Sequence, residues 1–363
     1  MPVDTTRALD VLRRGIDDDA MPGSVVCALR HGKPILHEAL GTLDGTRPTA
    51  LDTIYDLASV TKPMATASSV LTLVERGELA LNAPLPSLLG DAAAHLANVT
   101  ILHLLTHTSG LPSWCGCFER GRGLDCAVET ILRRPAAPAG SKYEYSCLGF
   151  ILLGRIVELV SGQPLDAFAR QHLFDKLGLR EATYNPPASK RDRIAPTKSK
   201  EKAQPDDAPD RALVGVVHDG NARAIGGVAG NAGLFATAHD VATFGQSLLS
   251  GLAASAASCS RDDVPRLFGA PATARIFDNQ VKSDIGAHTF LFFAQGNPLC
   301  PAGDLFSPRA VGHSGYTGNM LLIDPAYDLV VALLSNRVYT DPDGGKWLGV
   351  RRRFTNALAA SIV

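Results

Sequence analysis

Met320-Leu321-Leu322-Ile323-Asp324-Pro325-Ala326-Tyr327-Asp328-Leu329-Val330-Val331-Ala332-Leu333-Leu334-Ser335 sets two apolar runs on either side of a proline-bearing turn. Short runs rich in strand-favouring residues, split by Asp-Pro, predict a β-hairpin. Near the other end, Gly23-Ser24 leads into an apolar run over 25–30, a turn follows at His31-Gly32-Lys33, and a second run covers 34–40. That pattern predicts another hairpin. A helix is expected over about 4–17 and another over 347–362. Strands and a helix at each end, with helical sequence between, predict an α/β fold. One antiparallel sheet is built from both chain ends and flanked by helices, with an all-helical second domain. The expected division is 1–85 with 285–363 for the sheet domain and 86–284 for the mainly helical one.

Between the hairpins, periodicity predicts helices over 60–76, 100–106, 148–160 and 237–249, stopped at Gly77, Gly162 and Gly251 for the first, third and fourth. Residues 186–211 are polar and proline-bearing with no period, which predicts a long surface loop. No internal repeat is present, so solenoids and propellers are not expected.

Composition narrows the function classes. The chain has 363 residues, 45% hydrophobic and 20% charged, room for two domains or one with an insertion. Lys plus Arg is 35 and Asp plus Glu is 36, a net charge of -1. That balance lacks the footprint of a nucleic-acid binder, so no nucleic-acid partner is expected. No apolar run approaches the ~18–20 residues of a membrane span. Met1 to Asp19 alternates charged and apolar residues without a basic head or apolar core. No signal peptide is expected there, which points to the cytoplasm, or to the periplasm for a chain whose leader was removed. The 7 cysteines are odd in number and scattered, which does not make a disulfide framework and suits a reducing compartment.

Three stretches carry chemistry. In Asp56-Leu57-Ala58-Ser59-Val60-Thr61-Lys62-Pro63, Ser59 and Lys62 lie one turn apart on one face if a helix begins here. Proline at 63 suits a first turn, where its missing N–H has no intrahelical partner. Ser59 would sit at a helix N-terminus, which favours a developing anion. A desolvated lysine beside it is expected to have a lowered pKa and to take up a proton. A second Ser-x-x-Lys, Ser199 and Lys202, falls in the polar loop with no apolar helix after it. In Lys142-Tyr143-Glu144-Tyr145-Ser146-Cys147-Leu148-Gly149, Ser146 is an N-cap candidate, which holds Tyr145 just outside a helix. In Gly312-His313-Ser314-Gly315-Tyr316, Gly315 allows close approach to the backbone.

Together these stretches resemble the three motifs of the serine β-lactamase and penicillin-binding-protein superfamily, closest to its class C β-lactamase, D-Ala-D-Ala carboxypeptidase and family VIII esterase branch. They stand here as Ser59-Val60-Thr61-Lys62, Tyr145-Ser146-Cys147 and His313-Ser314-Gly315. Leu104-Leu105-Thr106-His107-Thr108-Ser109-Gly110-Leu111 and the glycine-rich stretch from Gly226-Gly227 through Gly233-Leu234-Phe235 are similar too, so the likeness runs over about 20–340. The resemblance implies a β-lactamase/transpeptidase-like fold. It also implies that Ser59 forms an acyl-enzyme, that Lys62 shares its proton and that Tyr145 completes the relay. An adjacent ammonium would shift that phenol toward the base form. The oxyanion hole would be the backbone N–H groups of Ser59 and Tyr316. His313 would help hold a substrate carboxylate or the developing charge.

Two positions depart from the family's pattern. Cys147 stands where an amide-binding Asn is common, and His313 stands where class C β-lactamases carry lysine. Both move the expectation from β-lactams toward esters or D-amino-acid-type acyl groups. The expected function is a serine hydrolase acting on a small-molecule ester, amide or β-lactam. The alternatives are a β-lactamase, a D-Ala-D-Ala carboxypeptidase, or a non-hydrolytic penicillin-binding-like protein, toward which only Cys147 points.

No cofactor is expected. No metal is expected either, because Cys115-Gly116-Cys117 with Cys126 falls short of a four-ligand zinc set. His103 and His107 read as structural. His218-Asp219-Gly220-Asn221 reads equally as a cleft-lining loop or a packing segment. Cys147 is a weaker nucleophile candidate than Ser59, which already has the lysine.

Overall fold

The computed structural model describes residues 3–205, 207–208, 211–255, 265–341 and 343–362, and Cys259 lies outside them. Gly23–Arg30 (β1) and Lys33–Gly41 (β2) are joined by His31 and Gly32, at φ 52° and 74°. Two left-handed residues in a two-residue loop match the twist of the paired strands. The remaining strands of the main sheet are Phe293–Ala294 (β3), Val311–Gly315 (β4), Asn319–Asp324 (β5) and Leu329–Ser335 (β6). Their order is β2-β1-β6-β5-β4-β3 and every pairing is antiparallel. The β1–β6 pair, Ser24↔Ser335 to Arg30↔Leu329, joins the two chain ends inside the sheet, as the two hairpins predict.

Strand alternation then makes two cores. Val25 and Cys27 with Val330, Ala332 and Leu334 face one, and Val26 and Ala28 with Val331 and Leu333 face the other. Both faces are covered, so these strands read as continuous apolar runs. Each fully buried Val or Leu contributes about 1.5–3 kcal/mol. Thr6–Asp17 and Gly345–Ala360 pack on each other over one face. Ala238–Ser255 covers the other through Val241, Phe244 and Leu248. A β-carbon on Gly245 would stand 2.6 Å from Val330 Cγ1, so glycine lets this helix settle on the sheet.

Two expectations are corrected. Gly251 does not stop the helix, which runs on to Ser255. It is a spacer instead: a β-carbon there would lie 2.8 Å from Thr273 Oγ1 of the neighbouring Ala270–Ile276 helix. The 186–211 segment is not a plain surface loop. Ile194 and Ala195 are buried, Thr197–Lys198 pairs with Ala212–Leu213, and the Asn336 side-chain amide donates to Pro196 O (2.8 Å) and Leu43 O (2.7 Å). Its few apolar residues have no period, so only long-range contacts reveal the order.

The Cys147–Ser161 helix begins as expected, with Ser146 Oγ accepting from Gly149 N (3.3 Å), and ends at Gly162 in the left-handed region (φ 70°). Thr100 and His103 form a reciprocal cap on Ile101–Leu105. Among the described residues no single helix is long and apolar enough to cross a membrane.

The paired terminal helices give a stability test. Gly349 has nothing nearer than Arg353 Nη1 at 3.4 Å, whereas a β-carbon on Gly15 would stand 2.8 Å from Val350 Cγ1. Gly349→Ala should stabilise by about 0.5–1 kcal/mol through helix propensity. Gly15→Ala should destabilise by about 1–3 kcal/mol through overpacking. Urea midpoints of the two variants against the parent check both signs.

Candidate active site

Tyr55–Asp56 is a short strand paired with Leu234–Ala236. The chain then turns sharply, with Ala58 at φ 46°. A non-glycine residue there stores about 1 kcal/mol or more of strain. Asp56 holds it: Oδ1 accepts from Ala58 N (2.9 Å) and Oδ2 from His218 N (2.6 Å). The Asp56 carbonyl accepts from the Thr317 hydroxyl (2.7 Å) and the Asn319 amide (2.6 Å). Burial pushes its carboxyl up to about 6, against the lowering effect of the two amides.

Ser59 lies in the 3-10 turn Ala58–Val60, followed by a π-helical stretch Lys62–Ala67 and an α-helix Ser68–Glu75. The expected helix over 60–76 is therefore three kinds of turn in succession. Pro63 has no N–H to lose at the widened turn, and Ser68 Oγ donates to its carbonyl (2.7 Å). Ser59 and Lys62 still meet: Nζ is 3.1 Å from Oγ. Lys62 is fully buried and also donates to Asn231 O (2.9 Å) and approaches Cys147 Sγ (3.5 Å).

Tyr145 lines the same cavity as Ser59, and Lys62 Nζ lies 5.1 Å from its ring centroid. His107, itself at φ 57°, fixes this tyrosine's segment from both sides. Its carbonyl accepts from Glu144 N (2.9 Å) and its Nδ1 from Ser146 N (3.0 Å). The expectation that His107 is structural fits this placement.

The electrostatics correct two expectations. Burial alone would lower Lys62, but its interactions with Cys147 and Tyr145 outweigh it and hold the ammonium above its ordinary value. Tyr145 is raised as well, because burial exceeds the downward pull of Lys62. Both groups therefore hold their protons to higher pH than they ordinarily would. Cys147 is likewise raised, chiefly by burial, and stays a thiol. His313 is 1% exposed, stacks on Phe293 (4.5 Å between centroids), and is held well below its ordinary value by burial and then by Lys62. It is neutral and turned toward the Tyr145 ring (5.9 Å), so it offers no charge to a substrate carboxylate.

Ser59, Tyr145, Cys147 and Tyr316 open into one cavity of about 470 Å³. Lys62, His313 and Gly315 are buried, Ser314 is half-buried, and none of the four lines it. Gly315 packs against the Ser59 turn, since a β-carbon there would be 2.3 Å from Leu57 O. Trp114, Lys198, Lys200, Glu201, His218 and Asp219 complete much of the lining. His218 and Asp219 therefore border the cleft, while Asn221 is buried as a packing residue. Sequence reading missed Asp56 and Asn231 as site residues. Asp56 stands three residues before Ser59 and Asn231 lies inside the matched glycine-rich stretch, but what marks them is contact across the fold. Among the described residues no group of three or more His, Cys, Asp or Glu is placed to hold a metal ion.

A family model described as Beta-lactamase matches residues 9–353. The N-acetylmuramyl-L-alanine amidase of Bacillus subtilis (strain 168) is 31% identical over 361 residues, covering 89% of this chain and 79% of that one. Esterase EstB of Burkholderia gladioli is 37% identical over 197 residues, covering 48% of this chain and 50% of that one. The solved structure of EstCE1, described as a hydrolase with promiscuous acyltransferase activity, superposes with a TM-score of 0.75 at 22% identity. It covers 96% of this chain and 97% of that one, and so shares the fold.

His107, His218, His288 and His313 are all held below the ordinary imidazole value, chiefly by burial, with His218 and His288 lowered to about 4. The unfolded chain therefore binds more protons below pH ~6.5, and stability must fall on acidification. At pH 5 each of His218 and His288 should cost on the order of 1–2 kcal/mol. Asp56, raised to about 6, offsets one group's share. Urea melts at pH 7.5, 6 and 5 should show a progressive loss, and a flat profile would contradict the buried neutral imidazoles.

Proposed function

The chain belongs to the beta-lactamase family, and from that premise we propose a serine hydrolase that acylates Ser59 with small esters in preference to amides or β-lactams. The observation that carries this reading is the Lys62 Nζ–Ser59 Oγ contact of 3.1 Å, with a fully buried lysine and the Tyr145 ring beside it. In the resting state Lys62 spends its three protons on Asn231 O, Ser59 Oγ and Cys147 Sγ. Loss of one proton leaves two N–H bonds in place and turns a lone pair toward Ser59. The serine proton then passes to nitrogen as Oγ attacks the substrate carbonyl.

The N–H groups of Ser59 and Tyr316 receive the oxyanion in this proposal, held together by the packing of Gly315 on Leu57. The proton moves through Lys62 and Tyr145 to the departing alcohol. The same pair then takes a proton from the water that hydrolyses the acyl-enzyme.

The preference for esters rests on Cys147. A thiol there cannot offer the carboxamide contacts that an asparagine gives a substrate amide. The ester reading draws support from the esterase relative and the amide reading from the amidase relative.

Ser59→Ala should lower turnover of p-nitrophenyl acetate by about a thousandfold or more. Equal rates in parent and variant would remove Ser59 from the mechanism. A β-lactam adduct that persists in intact mass spectra, without ester turnover, would favour the non-hydrolytic alternative instead.

The raised relay also fixes a pH dependence. Both Lys62 and Tyr145 sit above their ordinary values, so the competent, singly deprotonated form grows as pH rises. kcat/KM should climb about tenfold per pH unit between pH 6 and 8. A plateau across that range would mean the relay already holds its base form.

A further inference from the structure

Cys115-Gly116-Cys117 lies on the rim of the catalytic cavity, directly after Trp114, which lines it. Gly116 sits at φ -73°, ψ 79°, and Cys117 N donates to Cys115 O (2.9 Å). That is an inverse γ-turn. It draws the two flanking residues together, and the sulfurs face each other at 3.6 Å. The turn is clamped from outside. The Asn221 side chain donates to Cys115 O (2.8 Å) and accepts from Cys117 N (2.8 Å). Asn221 belongs to the Gly220–Ile225 helix, whose N-cap Asp219 also lines the cavity. A disulfide needs its two β-carbons close and facing, and a turn that already presents them so requires little backbone movement to close.

We propose that Cys115 and Cys117 form a redox-active dithiol that closes to an intraloop disulfide by exchange with a small-molecule disulfide, and that closure reshapes the Trp114 wall of the cavity. Cys115 is half-buried and Cys117 buried, so Cys115 meets the oxidant first. Its thiolate attacks one sulfur of RSSR, forming Cys115–S–S–R and releasing one RS⁻. Cys117 then loses its proton and attacks the Cys115 sulfur, and the second RS⁻ leaves. The two cysteine protons end on the two RS⁻ ions: two thiols are oxidised and one RSSR is reduced to two RSH. Burial pushes the Cys117 thiol up, which makes the second step the slower one.

The test uses the reduced full chain incubated with oxidised glutathione, quenched with N-ethylmaleimide and digested for mass mapping. The expected product is a Cys115–Cys117 disulfide, about 2 Da lighter than the dithiol and restored by dithiothreitol. Cys117→Ser should instead stop as a stable glutathione adduct on Cys115, and Cys126→Ser should behave as the parent. A persistent adduct in the parent, pairing with another cysteine, or full alkylation of both thiols would each overturn the dithiol. The link to the cavity has its own readout in Trp114 emission, with Trp114→Phe supplying the background from Trp347. A shift on oxidation supports it, and unchanged emission overturns it. Neither readout depends on turnover, so either can fail while the hydrolase reading stands.

Discussion

An ammonium group with no exposed surface is the constraint around which this site is built. Lys62 has no carboxylate at ion-pair distance among the described residues, and an uncompensated buried charge costs several kcal/mol. Its compensation comes from three acceptors, one of them the backbone carbonyl of Asn231. That carbonyl has to be brought in from far along the chain, so the glycine-rich stretch is pinned on both sides of it. Thr66 Oγ1 donates to Gly230 O (2.7 Å) and Leu234 N donates to Thr61 Oγ1 (3.1 Å). Gly230 must be glycine, because a β-carbon there would stand 1.9 Å from Phe150 O. The imidazoles of His107 and His313 stay neutral partly because the same cation repels a second positive charge.

A buried anion does comparable organising work on the other side of Ser59. Asp56 ties the Ser59 turn to the amide of His218, and through its carbonyl to Thr317 and Asn319 at the end of the sheet. It thereby joins the three parts that must agree: the serine, the cavity loop and the strand that follows Gly315. The left-handed Ala58 persists because this carboxylate accepts its N–H at the point of strain.

Much of this was legible in the sequence where the signal is local. Apolar runs around Asp324-Pro325 and His31-Gly32 marked the hairpins, and Ser146 marked the helix start that holds Tyr145. The spacing of Ser59 and Lys62 marked a pair whose side chains do meet. What stayed hidden depends on contacts between distant residues. Gly251 carries the usual mark of a helix end, yet it is there to make room for Thr273. The buried order of 186–211 comes from Asn336, more than a hundred residues away. The charge state of Lys62 was misjudged for the same reason. Desolvation can be guessed from the apolar residues that follow, but Cys147 and Tyr145, which hold the ammonium up, come from elsewhere in the fold.

The pairing of β1 with β6 has a consequence for how the molecule comes into being. Val26 lies opposite Leu333, so the inner edge of the first hairpin has no partner until nearly the whole chain has left the ribosome. Through that interval β1 exposes an unpaired row of peptide groups flanked by Val25, Val26 and Leu29, a template for unwanted strand addition. Sheet closure over so large a loop is slow compared with local helix formation. The helical middle of the chain, rich in short-range contacts, can form before the sheet is complete. Assembly of the candidate site then waits on the arrival of β4 beside the Ser59 turn, so a nascent chain holds Ser59 and Lys62 long before it holds a finished cavity.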